Sequence, residues 1–150
     1  EDAGLIGVQM EPGTLRISLM SPERKLLDKA EIRSVSLSGS EGQVQVLPQH
    51  AAMVGTLETG PFIIEYADGK SEHGVITTGF FEVRSNHVTL LAETVELAVE
   101  IDVGRARAAQ AKAEEQLREA ALTGSAFNKY QLKLQRALIR QEIAAKKVPG

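Results

Sequence analysis

Residue 100 divides this 150-residue chain into two segments built for different backbones. Eleven of the 13 glycines lie at or before Gly104, and no proline occurs between Pro61 and Pro149. Helix interiors reject proline and are weakened by glycine, so the second segment is free to be helical while the first is punctuated for turns. Charge divides at the same place. Residues 1–100 carry 7 Lys+Arg against 15 Asp+Glu, a net of −8, whereas residues 101–150 carry 10 against 5, a net of +5.

The first segment reads as short strands. Leu15 to Leu19 alternates apolar and polar residues, as a half-buried strand requires. Val35-Ser36-Leu37 and Val44-Gln45-Val46 do the same on either side of Gly39-Ser40-Glu41-Gly42, a turn segment. Phe62 to Tyr66 runs into Asp68-Gly69, a hairpin signal, followed by Gly74-Val75-Ile76. Phe80 to Val83 and Val88 to Leu91 flank Ser85-Asn86. Strands this short, without helical patterns between them, predict an antiparallel sandwich or barrel over 14–100.

The second segment, 101–150, reads as two helices. Asp102 is a natural N-cap for a helix starting at Val103. Ala106, Ala109, Ala113, Leu117 and Ala120 then form a narrow stripe of mostly small side chains. Gly124 reads as a stop and Ser125 as the next N-cap, with the second helix running to about Lys147. The expected product is an antiparallel hairpin about 30 Å long. On a helical wheel Lys129, Lys133, Arg136, Arg140 and Lys147 fall within a sector of about 60°. Phe127, Tyr130, Leu134, Ala137 and Leu138 form one apolar stripe beside it; Leu132, Ile139 and Ile143 form another opposite. A basic strip between two apolar strips suits an acidic partner or a second docking position, against the plainer reading of a solvated basic face. A membrane surface fits less well, since the helix lacks Trp and ends at Pro149.

Composition removes several functions. The absence of Cys excludes disulfides, thiolate zinc sites, iron–sulfur clusters and cysteine catalysis. A net charge of −3 argues against whole-surface nucleic-acid binding, and 4% aromatics without Trp argues against a base-stacking platform. No apolar run approaches the ~20 residues of a membrane span, and the opening Glu1-Asp2 carries no signal-peptide pattern. Neither G-x-x-x-x-G-K-[ST] nor G-x-G-x-x-G occurs, and His50, His73 and His87 share no ligand spacing, so no catalytic or metal site is expected. One polar constellation remains. Asp102 and Arg105 open the first helix, and Arg136 and Arg140 lie one turn apart on the second. Two Arg at that spacing can grip a polyphosphate, or can form salt bridges between the helices with Asp102 and Glu114.

These residues resemble the epsilon subunits of bacterial F-type ATP synthases, homologues of the mitochondrial delta subunit, from about Leu15 to Ile143. The resemblance is carried by Gly39-Ser40-Glu41-Gly42 leading to Val46-Leu47-Pro48-Gln49-His50-Ala51, and by Thr78-Gly79-Phe80-Phe81-Glu82-Val83. Val88 to Glu93 and Ile101-Asp102-Val103-Gly104-Arg105-Ala106 continue it in family order. It implies a sandwich of about ten strands with a C-terminal helix-turn-helix. It further implies a non-catalytic place in the central rotor of a bacterial enzyme, peripheral on the cytoplasmic face of the inner membrane, or on the matrix face for a mitochondrial homologue. The implied partners are the gamma subunit, the c-ring, and the beta and alpha subunits, with no nucleic acid and no membrane insertion; the isolated chain would be a monomer. In such subunits an extended hairpin blocks ATP hydrolysis by contacting an acidic segment of beta, the role implied for Lys129, Lys133, Arg136, Arg140 and Lys147.

The resemblance implies no required cofactor but offers ATP as a regulatory ligand. Ile101, Asp102, Arg105 and Ala106 match its I/L-D-x-x-R-A motif, and Glu96, Arg136 and Arg140 stand at the accompanying positions, while a further Arg is replaced by Lys112. Glu41, Gln43, Pro48, Gln49 and His50 fall where the family faces gamma or the c-ring; Gln49 stands in place of the usual Gly and Gln43 in place of a common acidic residue. Residues 1–13 lie outside the resemblance and read as an extension, within which Met10 could be an original start. Two other functions are open to the residues: an ATP-sensing module, or a sandwich adaptor that binds an acidic partner through its basic helix.

Overall fold

The computed structural model describes residues 13–119 and 124–146. Nine strands come first: β1 (Leu15–Met20), β2 (Lys25–Gly39), β3 (Gly42–Val46), β4 (Met53–Leu57), β5 (Gly60–Tyr66), β6 (Ser71–Ile76), β7 (Gly79–Arg84), β8 (His87–Ala92) and β9 (Val95–Leu97). A single 3-10 turn, Ala98–Glu100, leads to α1 (Val103–Arg118) and α2 (Gly124–Ala144). The fold is thus a β-sandwich followed by two helices, with nine described strands where about ten were expected.

The long strand β2 makes the sandwich. Its first half pairs with β1 and its second with β5 and β3, so one strand belongs to both layers. Register shifts near Ile17 and between Ile32 and Ser34 bend it from one layer into the other. One layer runs β1-β8-β7-β4, the other β2-β5-β6-β9 with β3 beside β2. One pairing departs from the antiparallel expectation: β1 and β8 are parallel. No hairpin joins them, so nothing forces their directions to oppose.

Period-two alternation fills the space between the layers. Leu15, Ile17, Leu19, Val35, Leu37, Phe62, Ile64, Phe81, Val83, Val88 and Leu90 all point inward and are buried. Ser85 and Asn86 both adopt left-handed backbone, φ 52° and 59°, as a two-residue hairpin turn needs. The Asn86 side chain then fastens neighbouring loops, donating to the Thr14 carbonyl at 3.0 Å and accepting from the Gln49 amide at 2.8 Å.

The β1–β8 pairing also buries a polar contact. Ser18 Oγ accepts the Lys29 amide at 3.1 Å and shares a hydrogen bond of 2.9 Å with His87 Nε2. Burial, then the charges of Lys29 and Arg16, hold the His87 pKa below 6.5. The unfolded chain therefore binds a proton near 6.5 that the folded chain refuses, and stability falls as pH drops through that value. One such group changes stability by at most ~1.4 kcal/mol per pH unit. His87→Gln, whose amide can either donate to or accept from Ser18, is expected to shrink the difference in melting temperature between about pH 5 and 7. An undiminished difference in thermal scans would contradict this account.

Candidate functional site

The helical hairpin folds back onto the outer face of β6 and β9. Antiparallel pairing sets Val75 opposite Glu96, so an apolar and an acidic side chain stand together on that face. The α2 residues one turn apart, Arg140 and Ile143, answer them in kind. Ile143 and Ala144 are buried with Val75, Ala98 and Ile101, and Ile139 and Val103 pack beside them. Arg140 meets Glu96 through two parallel bonds, Nε to Oε1 at 2.8 Å and Nη2 to Oε2 at 2.9 Å. Both side chains are largely shielded, 18% and 26% exposed, and the bond raises the Arg140 pKa against the cost of burial. Among the described residues this is the ion pair that joins helix to sheet.

A second fork braces the hinge. Arg24 donates Nη1 and Nη2 to the Glu100 carboxylate at 2.8 and 2.7 Å, and Nη2 also reaches the Val95 carbonyl. Glu100 in turn accepts the Leu97 amide at 2.8 Å. The Arg24 bond, opposed by burial, pulls the Glu100 pKa from 4.5 to about 2. That bracing is complete above pH 4.5 and fades as pH falls toward 2. Arg24 and Glu100 lie 76 residues apart, so no local pattern announced the pair.

The small-residue stripe lets the two helices approach closely. Ala106, Ala113 and Ala137 are buried, while Ala109 and Leu117 are less covered; Ala120 lies outside the described residues. Gln141 donates to Gln110 at 2.6 Å, and Gln110 to Glu114 at 3.1 Å, which ties the hairpin together. Asp102 caps α1 by accepting the Arg105 amide at 3.1 Å. Between the helices lies a cleft of about 400 Å³ into which Lys112, Lys133, Arg136 and Arg140 project beside Tyr130. The ammonium of Lys133 lies 5.5 Å from the Tyr130 ring centre and that of Lys129 5.6 Å.

The expected nucleotide residues therefore separate. Arg136 and Arg140 line the cleft, Glu96 touches it only through Arg140, and Asp102 serves as a cap. Ile101 and Ala106 are buried and Arg105 is exposed, none of the three lining the cleft. The expected pairing of these arginines with Asp102 or Glu114 gives way to Arg140 with Glu96. In the basic strip Lys129, Lys133 and Arg136 are exposed and Arg140 is half-buried; Lys147 lies outside the described residues. The two apolar stripes face α1 through Ala137 and the sheet through Ile139 and Ile143. Leu132, Leu138 and Phe127 remain 60%, 46% and 40% exposed.

The expected contact residues divide between two loops. Glu41 and Gln43 belong to the β2–β3 hairpin, where Gln43 donates to Ser38 Oγ at 3.4 Å. Pro48, Gln49 and His50 lie in the β3–β4 loop, with His50 Nδ1 2.8 Å from the Ala51 carbonyl oxygen. Gln49 has φ 65°, a conformation glycine adopts without strain. The two loops bracket β4, and β4 opens the surface that sequence reading missed. Val54, Phe80 and Leu91 are 75%, 65% and 48% exposed on the outer face of β4-β7-β8. Almost wholly apolar hollows of about 360 and 450 Å³ flank Phe80 and Leu91. The signal was the doublets Phe80-Phe81 and Leu90-Leu91: alternation that buries one member must expose the other.

Among the described residues no helix is long and apolar enough to cross a membrane. Residues 14–98 match the family model described as ATP synthase, Delta/Epsilon chain, beta-sandwich domain. The ATP synthase epsilon chain of Geotalea uraniireducens is 37% identical over 132 residues, covering 88% of this chain and 94% of the relative. That of Citrifermentans bemidjiense is 38% identical over the same spans. Among solved structures, a chain of the Euglena gracilis mitochondrial ATP synthase matches with a TM-score of 0.78 at 20% identity, covering 98% of this chain and 96% of that one. A chain from the central stalk and c-ring of the Tetrahymena thermophila mitochondrial ATP synthase matches at 0.53 and 16% identity, over 87% and 93%. At these identities the likeness is one of fold, whereas the family model and the bacterial sequences establish descent. The chain belongs to the ATP synthase delta/epsilon chain family.

Proposed function

We propose that this chain is a non-catalytic subunit of the central stalk of an F-type ATP synthase. It couples rotation of a gamma subunit to a ring of c subunits during proton-driven ATP synthesis. Its position is peripheral, on the cytoplasmic face of a bacterial inner membrane. The observation that supports this reading is the uncovered apolar face of β4-β7-β8, carrying Val54, Phe80 and Leu91. An isolated protein gains nothing by leaving such a face in water, so the face belongs against a partner. The docked hairpin is the second working part. Held by one fork and a small apolar cluster, it can leave the sheet and carry Lys129, Lys133 and Arg136 to an acidic segment of a catalytic beta subunit, where it would restrain hydrolysis.

Phe80→Asp tests the docking face without touching the core, because Phe80 is 65% exposed. Placing a carboxylate at the centre of an apolar interface is expected to weaken association with gamma by about thirtyfold or more while leaving the melting curve unchanged. Co-purification with tagged gamma measures it. Equal recovery of variant and parent would remove this face from the interface.

The cationic cleft favours a second activity on the same chain, the sensing of ATP by the folded hairpin. Lys112 from α1 and Lys133, Arg136 and Arg140 from α2 converge there, and among the described residues no carboxylate lines it. A polyphosphate is the ligand this charge would accept.

A further inference from the structure

We infer that Asn86 is a positioning residue for assembly: its side chain locks the Leu47–His50 turn in the shape that the β3–β4 loop presents to the rest of the stalk. This rests on the central-stalk reading above, which makes the loop a contact surface, and goes beyond it by naming what holds the loop in form.

The turn carries a conformational problem. The Leu47 carbonyl accepts the His50 amide at 3.1 Å, closing a β-turn with Pro48 and Gln49 at its centre. Proline in the second place and a positive φ in the third make the type II pattern, whose third place suits glycine. Gln49 occupies it at φ 65°. A side chain disfavours that backbone, so the turn left to itself would escape to other shapes. Asn86 opposes the escape. Its Oδ1 accepts the Gln49 amide at 2.8 Å while its Nδ2 donates to the Thr14 carbonyl at 3.0 Å. One partner can only donate and the other can only accept, so a single orientation of the amide satisfies both.

Asn86 can serve as an anchor because its own backbone is fixed. It stands second in the two-residue turn between β7 and β8, at φ 59°, and Arg84 and His87 pair on either side of that turn. Thr14 is buried at the head of β1, which itself pairs with β8. The loop is thereby tied to the sandwich across its end and not only to its own residues. What it holds outward is apolar. Leu47, Ala51, Ala52 and Met53 are exposed, and the chain then runs into Val54 of the uncovered face. A partner binds such a loop only in the shape that presents these side chains together. Apparent affinity therefore falls with the fraction of chains that hold that shape.

Titration of the full chain onto membrane vesicles whose ATP synthase lacks this subunit tests this, with hydrogen exchange at Gln49 read in parallel. Asn86→Gly fits the turn, since glycine adopts φ 59° freely, and it removes both bonds. It is expected to weaken association about fivefold, the effect of losing one hydrogen bond that resists a disfavoured backbone, and to speed exchange of the Gln49 amide. Adding Gln49→Gly relieves the turn of the problem that Asn86 solves. The double variant should therefore return to within about twofold of the parent. Asn86→Asp, which keeps an acceptor for the Gln49 amide, should lie nearer the parent than Asn86→Gly does. Parental affinity in Asn86→Gly would overturn the positioning role. So would a double variant as weak as Asn86→Gly, since the loss would then come from the fold or from direct contact with the partner. Unchanged exchange at Gln49 in Asn86→Gly would overturn the lock independently of binding. Failure of the parent chain to associate with the vesicles would overturn the central-stalk reading itself.

Discussion

Phe62→Ala is expected to cost about 3–5 kcal/mol, the upper range for truncating a core aromatic. Phe62 has no exposed surface and sits between the layers with Val35, Leu37 and Ile64. Its ring also fills the space over Gly74, where any added Cβ would collide with the ring and with the Glu96 carbonyl. The surroundings cannot close the void, because strands on both sides are fixed by their hydrogen-bond ladders. For a domain with about 5–15 kcal/mol of total stability, such a loss leaves the chain barely folded. Urea unfolding is the measurement, and Phe80→Ala the comparison. That residue is 65% exposed, so its truncation should change stability by no more than about 0.5 kcal/mol. Similar midpoints for the two variants would refute the assignment of the core.

The contrast between these two phenylalanines shows how much of the fold was legible. Alternation in Leu15 to Leu19 and around Phe81 and Val83 was written in the sequence, and those strands lie where their patterns placed them. The first half of β2 carried no such mark, because Leu26-Leu27 and the charges of Lys25, Asp28 and Lys29 break the period. Pairing with β1, not local preference, makes it a strand. Likewise β4 and β9 are short and are held by their neighbours β7 and β6. Of the expected helix signals, Asp102 does cap α1, but α1 ends at Arg118 with Glu119 as its C-cap. Gly124, at φ 57°, is the first residue of α2, which puts Ser125 inside the helix where an N-cap was expected.

The candidate site was legible in composition but not in pairing. Arg136, Arg140, Glu96 and the basic strip could all be named from the sequence. That Glu96 would claim Arg140 depends on β9 pairing with β6 and on the angle at which α2 crosses the sheet. The second apolar stripe also changed meaning. Ile139 and Ile143 are accounted for by the sheet beneath them, so only Leu132, with Leu138 and Phe127 from the other stripe, is left over for another surface.

Glu96→Arg is expected to shift the hairpin's docking equilibrium by about a hundredfold, or ~3 kcal/mol, toward release. The substitution removes the acceptor for Arg140 and sets two guanidiniums together in a largely shielded position. It leaves every basic residue of α2 in place, which makes its consequence opposite to that of truncation. If the free hairpin restrains hydrolysis, Glu96→Arg should slow ATP hydrolysis in the assembled complex, while a chain ending at Ile101 should speed it. The double exchange Glu96→Arg with Arg140→Glu restores a pair of opposite charge and should recover docking, though not the full bidentate geometry. Hydrogen exchange along α2 reads the docking directly. Protection there should fall in the single variant and return in the double, whereas Gln110 and Gln141 continue to tie α1 to α2 throughout. Unchanged protection in Glu96→Arg would show that Ile143, Ala144 and Val75 hold the hairpin unaided. Hydrolysis that rises in both Glu96→Arg and the truncated chain would place the restraint in the docked hairpin, contrary to the release mechanism.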